Sequence, residues 1–183
     1  GLSFWSVLLY PLSLLFLLTS LIDKVLKTKK KFPIQIICVG NIYIGGTGKT
    51  PTSVLLAKEL SKSGKKPVIL RKYYKHHNDE HYLIKNHFKN LIVTKNRLMG
   101  LKEAENSDFD IAILDDGLQD YKIKKNKKIV CFNSNQLVGN GLVLPAGPLR
   151  ETLYALKDAD IVLINGNKVQ NFENKILDIN KKL

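Results

Sequence analysis

The stretch from residue 34 to residue 64 limits the possible folds more than any other. Residues 34–39 read Ile-Gln-Ile-Ile-Cys-Val, an apolar run without alternation. It leads into Gly40-Asn-Ile-Tyr-Ile-Gly-Gly-Thr-Gly-Lys-Thr50, and residues 51–63 then read as a helix closed by Gly64. Strand, glycine-rich loop, Gly-Lys-Thr and helix in this order describe a phosphate-binding turn. Glycines let backbone N–H groups converge on an anion without Cβ clashes. The helix N-terminus adds its partial positive charge. Lys49 is placed to reach β- and γ-phosphates, and the Thr50 hydroxyl to ligate Mg²⁺. Pro51 is tolerated because a first-turn N–H has no helical partner. The strict spacing puts glycine at position 43, where this chain has Tyr43, with Gly45 and Gly46 instead. The loop assigned to a nucleotide is therefore Tyr43, Ile44, Gly45, Gly46, Thr47, Gly48, Lys49 and Thr50. A plain glycine-rich strand-to-helix turn is the blander reading, and Gly-Lys-Thr at the junction argues against it.

The rest of the chain from Phe32 follows one pattern. Short apolar runs at 34–39, 68–70, 91–94, 111–114, 128–132 and 161–164 are separated by helical stretches at 49–63, 96–106 and 172–182. Apolar strands without alternation, spaced by helices, imply a mostly parallel sheet with helices on both faces. That is an α/β fold of the P-loop NTPase type. The run 109–114 ends in Asp115-Asp116-Gly117. An apolar strand ending in Asp is the second half of a P-loop site and holds Mg²⁺ directly or through water. Asp115 and Asp116 are both candidates, and spacing does not choose between them. Cys38 and Cys131 each sit inside an apolar run and read as buried strand residues, as expected in a reducing compartment.

Residues 1–22 contain no charged residue, and Lys24, Lys27, Lys29, Lys30 and Lys31 follow at once. About 20 apolar residues suffice to cross a bilayer. Pro11 and the polar Ser3, Ser6, Ser13, Thr19 and Ser20 weaken the spanning reading. A helix lying in the membrane interface, a signal peptide and a buried core helix are the other readings. A signal peptide carries its charges before the apolar run, and here they come after it. The expected organisation is a membrane-associated helix with a basic flank over 1–31 and one P-loop domain over 32–183. The chain starts at Gly1 and stops at Leu183 after a helix-like segment. It is therefore expected to be part of a longer protein.

The formal net charge is +13, and of 29 basic residues only Arg71, Arg97 and Arg150 are arginine. Such a surface favours anionic partners, although lysine abundance also follows from the Asn- and Ile-rich composition. Clustered arginines and interleaved aromatics are lacking, so no nucleic-acid partner is expected.

Three segments together carry a family resemblance. They are 39–51 (Val-Gly-Asn-Ile-Tyr-Ile-Gly-Gly-Thr-Gly-Lys-Thr-Pro), Asp115-Asp-Gly-Leu-Gln119, and 139–151 (Gly-Asn-Gly-Leu-Val-Leu-Pro-Ala-Gly-Pro-Leu-Arg-Glu). In order, from near Phe4 to about Asn165, the chain resembles the tetraacyldisaccharide 4'-kinases, which phosphorylate the lipid A precursor at the cytoplasmic face of the bacterial inner membrane. The resemblance implies ATP and Mg²⁺ as cofactors. It implies a lipid A disaccharide precursor and the inner-membrane surface as partners, with no obligate protein partner. A membrane-tethered P-loop ATPase without a lipid acceptor is the competing reading.

Residue by residue, the family's Gly-Asp-Glu motif aligns with Asn78-Asp79-Glu80, making Asp79 the implied catalytic base and Glu80 a metal-side or positioning carboxylate. Lys49 joins Asp79 in the implied catalytic set. Arg97, Gln119 and Arg150 match positions implied to contact substrate or phosphate. His76, His77, His81 and His87 cluster near Asp79 without a zinc spacing and read as surface or acceptor-side residues. Where the family reads Arg-Gly-Tyr-Gly after its second strand, this chain has Arg71-Lys-Tyr-Tyr74. The family also has a second, C-terminal domain that closes over the nucleotide.

Overall fold

The computed structural model describes residues 4–74 and 78–183, without the side chains of residues 78–81. The chain divides into two compact units. One comprises Lys29–Gly40 and Gly48–Ile129; the other comprises the N-terminal residues up to Thr28 with Asn41–Thr47 and Val130–Leu183.

The first of these holds strands β1 (Gln35–Gly40), β2 (Pro67–Lys72), β3 (Leu91–Thr94) and β4 (Ile111–Asp115), with helices α2 (Lys49–Lys62), α3 (Asn78–His87) and α4 (Arg97–Asn106). The strands lie in the order β3-β2-β4-β1, and each pair is parallel. This is the α/β parallel sheet expected from the apolar runs. Side chains alternate along a strand, and the two faces are packed differently. Ile36, Cys38, Val68, Leu70, Ala112 and Leu114 form one core with Leu101 and Ala104 of α4. The alternate positions Ile69 and Ile113 are also fully buried, on the face of Arg71 and Asp115. Thr50 and Ser53 reach Asp115 there, which places α2 on that face. Each Ile or Leu so buried contributes about 1.5–3 kcal/mol.

α3 is a departure from expectation. The helical stretches read from the sequence leave out residues 78–87, whereas the backbone from Asn78 to His87 is helical. The segment has few apolar residues to signal a helix; Ile84 is fully buried and anchors it.

In the other unit, helix α1 (Phe4–Leu26) precedes the Asn41–Thr47 loop, most of β5 (Lys127–Asn133), β6 (Ile161–Asn165) and α5 (Gln170–Ile179). β5 and β6 are sheet neighbours. α1 is long and apolar enough to cross a membrane, and little of it is buried. Its two buried residues are Ser6 and Ser13, and Leu9, Leu17, Ser20 and Lys24 are half-buried. These positions recur every three or four residues and mark one helix face. That face is bonded to the 139–149 loop. Ser13 Oγ donates to the Val143 carbonyl at 2.9 Å and accepts from the Ala146 N–H at 3.0 Å. Asn140 Nδ2 donates to Ser6 Oγ at 3.2 Å. Farther along, Lys24 Nζ lies 3.8 Å from Asp158. The outward face carries Trp5, Leu8, Leu12, Leu15, Leu18 and Leu21, all exposed.

Candidate active site

α2 begins at Lys49, and its N-cap residue Gly48 has φ 82°, a left-handed conformation suited to glycine. Thr50 and Ser53, three residues apart on one helix face, both reach the last residue of β4. Thr50 Oγ1 donates to Asp115 Oδ2 at 3.1 Å, and Ser53 Oγ to Asp115 Oδ1 at 3.0 Å. Arg71 is the register neighbour of Asp115 on β2. Its Nη1 donates to Asp115 Oδ2 and, at 3.1 Å, to Thr50 Oγ1. Asp115 is wholly buried and Arg71 nearly so. Burial pushes the Asp115 carboxyl above the usual carboxylate range, while the Arg71 guanidinium and the two hydroxyls pull it back.

Asp116 has φ 57° and is half-buried. Its N–H donates to the Val39 carbonyl at 2.9 Å. Arg97, the first residue of α4, holds the backbone of this pair from behind. Its Nη2 donates to the carbonyls of Asp115 (3.1 Å) and Asp116 (2.7 Å), and the side chain is buried. Asn96 caps α4 by accepting from the Leu98 N–H at 3.0 Å, which fixes where Arg97 starts. The structure thus gives Arg97 two backbone partners at the end of β4. Gln119 is half-buried in the turn that follows.

The loop itself bends at Gly45, where φ is 119°. Tyr43, standing where the strict spacing has glycine, forms an antiparallel bridge with Leu149. The Ile44 N–H donates to the Pro148 carbonyl at 2.9 Å, and the Arg150 N–H to the Ile42 carbonyl at 2.7 Å. Arg150 therefore has its backbone fixed beside this loop. The Pro-Ala-Gly-Pro-Leu-Arg segment is thus a backbone partner of the loop as well as a packing surface for α1.

Asp79 and Glu80 fall in the first turn of α3, and their side chains, with that of His81, lie outside the described residues, as do His76 and His77. Among the described residues no three His, Cys, Asp or Glu side chains gather into a metal cage. Sequence reasoning passed over Ser53 and the role of Arg71. Both carried a signal: Ser53 lies one helical turn beyond Thr50, and Arg71 ends a buried strand.

The family profile for tetraacyldisaccharide-1-P 4'-kinase matches residues 5–182. A tetraacyldisaccharide 4'-kinase of Pelagibacter ubique is 44% identical over 171 residues, covering 91% of this chain and 52% of the relative. One from Francisella tularensis subsp. novicida is 36% identical over 186 residues, covering 88% of this chain and 58% of the relative. The crystal structure of Aquifex aeolicus LpxK, an "apo" form in complex with ATP, superposes with a TM-score of 0.76 at 28% identity, covering 90% of this chain and 60% of that one. The chain spans little more than half the length of these curated relatives.

Proposed function

The chain belongs to the tetraacyldisaccharide-1-P 4'-kinase family, and we propose that it is the nucleotide-binding part of an enzyme that transfers the γ-phosphoryl group of ATP to the 4'-hydroxyl of a tetraacyldisaccharide 1-phosphate. The observation that carries this reading is the buried Thr50–Asp115–Arg71 cluster directly behind Lys49. It pairs a phosphate-loop helix with an acidic strand end, the two halves that phosphoryl transfer needs.

In the reaction, the bond between the γ-phosphorus and the ADP oxygen breaks, and one forms to the sugar O4'. The hydroxyl proton passes to a base, assigned to Asp79 from the family motif. Lys49 and the N–H groups of Gly46 and Gly48 orient the phosphates. Arg150 and Gln119 are candidate substrate contacts on the same basis. Arg97 acts by holding the Asp115–Asp116 backbone.

The donor set suits a small hard cation. A carboxylate and a hydroxyl oxygen converge within 3.1 Å, and Arg71 Nη1 already bonds to both, so the pair draws positive charge. Thr50 and Asp115, with Asp116 and Glu80 as further candidates, would hold Mg²⁺ together with phosphate oxygens. Bound Mg²⁺ would supply neutralisation of the charge on the phosphoryl group.

The apolar face of α1 supports a place at a membrane, and its polar face sets the orientation. Ties at Ser6, Ser13 and Lys24 run along roughly 27 Å of helix, at 1.5 Å per residue. A spanning helix would draw the 139–149 loop into hydrocarbon about 30 Å thick. α1 therefore lies flat in the interface, as the appendage 1–31 of a kinase domain at 32–183. The basic flank after it favours the anionic cytoplasmic leaflet of the inner membrane.

The test is ATP-dependent phosphorylation of tetraacyldisaccharide 1-phosphate by the full-length protein in detergent micelles. The expected product gains one phosphate at the 4' position, and Asp79→Asn abolishes the gain while ATP still binds. ATP hydrolysis with no phosphate on the lipid would replace this reading with a membrane-bound ATPase.

A further inference from the structure

The Asn41–Thr47 loop is held by three asparagines, its own first residue and two from outside it. Asn41 Nδ2 donates to the Gly45 carbonyl at 3.2 Å and to Thr47 Oγ1 at 2.9 Å. Asn133 Nδ2 donates to the Gly46 carbonyl at 3.3 Å. Asn165 Nδ2 donates to the Thr47 carbonyl at 2.6 Å. Three consecutive loop carbonyls thus each receive an amide donor. The donors come from equivalent places in the fold: Asn41 directly follows β1, and Asn133 and Asn165 are the last residues of β5 and β6. The chain is held there in turn, because the Ser134 N–H donates to the Asn165 carbonyl at 2.9 Å and the Asn135 N–H to Asn133 Oδ1 at 2.9 Å.

We propose that Asn41, Asn133 and Asn165 are positioning residues that preorganise the phosphate loop, a role that rests on the nucleotide-binding reading above. The peptide group is planar and trans, so a carbonyl and the following N–H point in opposite directions. Fixing the carbonyls of Gly45 and Thr47 outward fixes the N–H groups of Gly46 and Gly48 inward, toward the phosphates. The residue type is suited to this. An asparagine amide donates without charge. A lysine or arginine in its place would compete with the loop for the phosphate, and an aspartate would repel the carbonyl. Two of the clamp residues, Asn133 and Asn165, impose orientation from outside on a loop that has Tyr43 where the strict spacing has glycine. The three bonds differ in weight. Asn41 is fully buried and Asn165 makes the shortest contact, whereas the Asn133 bond is the longest and is exposed.

Such a clamp acts on phosphate binding alike before and during transfer, so it shows in KM and leaves kcat unchanged. Asn165 is solvent-facing, so its substitution leaves the fold standing. The experiment compares full-length wild type, Asn165→Leu and Asn165→Gln in the micelle assay with ATP varied. The expected result is a roughly fivefold rise in KM for ATP in Asn165→Leu, the size of one lost hydrogen bond. Its kcat stays within about twofold, and Asn165→Gln, which keeps a donor, recovers most of the loss. An unchanged KM in Asn165→Leu overturns the proposal, as does an equal rise in Asn165→Gln or a fall in kcat alone. Absence of ATP-dependent transfer by wild type would instead overturn the functional reading on which the clamp rests.

Discussion

In α4 the residues turned inward include Gly100, Leu101 and Ala104, whereas in α1 they are Ser6 and Ser13, with Leu8, Leu15 and Leu18 facing out. Both helices obey the same rule, and under the proposed membrane placement the difference is the solvent each faces. α4 hides apolar carbon from water against the sheet. α1 turns most of its leucines outward, and its inner face adds directional hydrogen bonds at Ser6 and Ser13 to the half-buried Leu9 and Leu17. A buried hydroxyl that both donates and accepts, as Ser13 does, fixes rotation and register more sharply than a leucine would. Hydrophobicity alone reads α1 as a core helix or a span, and the position of its serines is what carries the proposal that it lies flat.

Four substitutions break this contrast at different points. The largest effect is expected from Arg71→Ala, which leaves the Asp115 carboxylate buried without its cation. Urea unfolding at neutral pH should show a loss of about 3–5 kcal/mol. The sign of the pH dependence follows. Burial already raises the Asp115 pKa in the folded state, and removing Arg71 raises it further. The variant is then least destabilised in acid, where Asp115 is neutral, and loses stability as pH rises from the ordinary carboxylate range through the folded pKa. A pH-independent deficit would contradict the pairing.

The next test sets one helix against the other. Leu101→Ala should cost about 2–5 kcal/mol of stability and leave vesicle binding alone. Leu15→Gln should change stability by less than about 0.5 kcal/mol but weaken binding to anionic vesicles by roughly tenfold, as loss of one lipid-buried leucine requires. If Leu15→Gln melts the protein and binds vesicles normally, α1 is a core helix. A loss smaller than that of Leu101→Ala is expected from Ser13→Ala, which strands the Val143 carbonyl and the Ala146 N–H. Its loss of about 1–3 kcal/mol should appear as faster amide exchange in the 139–149 loop.

The parallel sheet was legible because its strands are apolar runs without alternation and its loop carries Gly-Lys-Thr. Cys38 was legible for the same reason, and burial pushes its thiol up to about 11. The serine face on which the proposed orientation of α1 rests was not. A hydropathy count registers how many leucines a segment has, not that its serines share one face. α3 escaped because, among its described side chains, only Ile84 is buried, within a run of Asn, Asp, Glu and His. In the site, Thr50 and Asp115 came from motif chemistry, while Arg71 was noticed only as the start of an altered motif. Asn133 and Asn165 carried no signal in an asparagine-rich chain, because their bonds to the loop close over 87 and 118 residues.

The most direct test of the account presents tetraacyldisaccharide 1-phosphate in anionic lipid vesicles with γ-labelled ATP and the full-length protein, beside Lys49→Ala. The account predicts labelled lipid with wild type and a fall in transfer of roughly 10²–10³ in Lys49→Ala, the loss expected when one phosphate-directed charge is removed. Label released only as inorganic phosphate, or transfer that persists undiminished in Lys49→Ala, would contradict it.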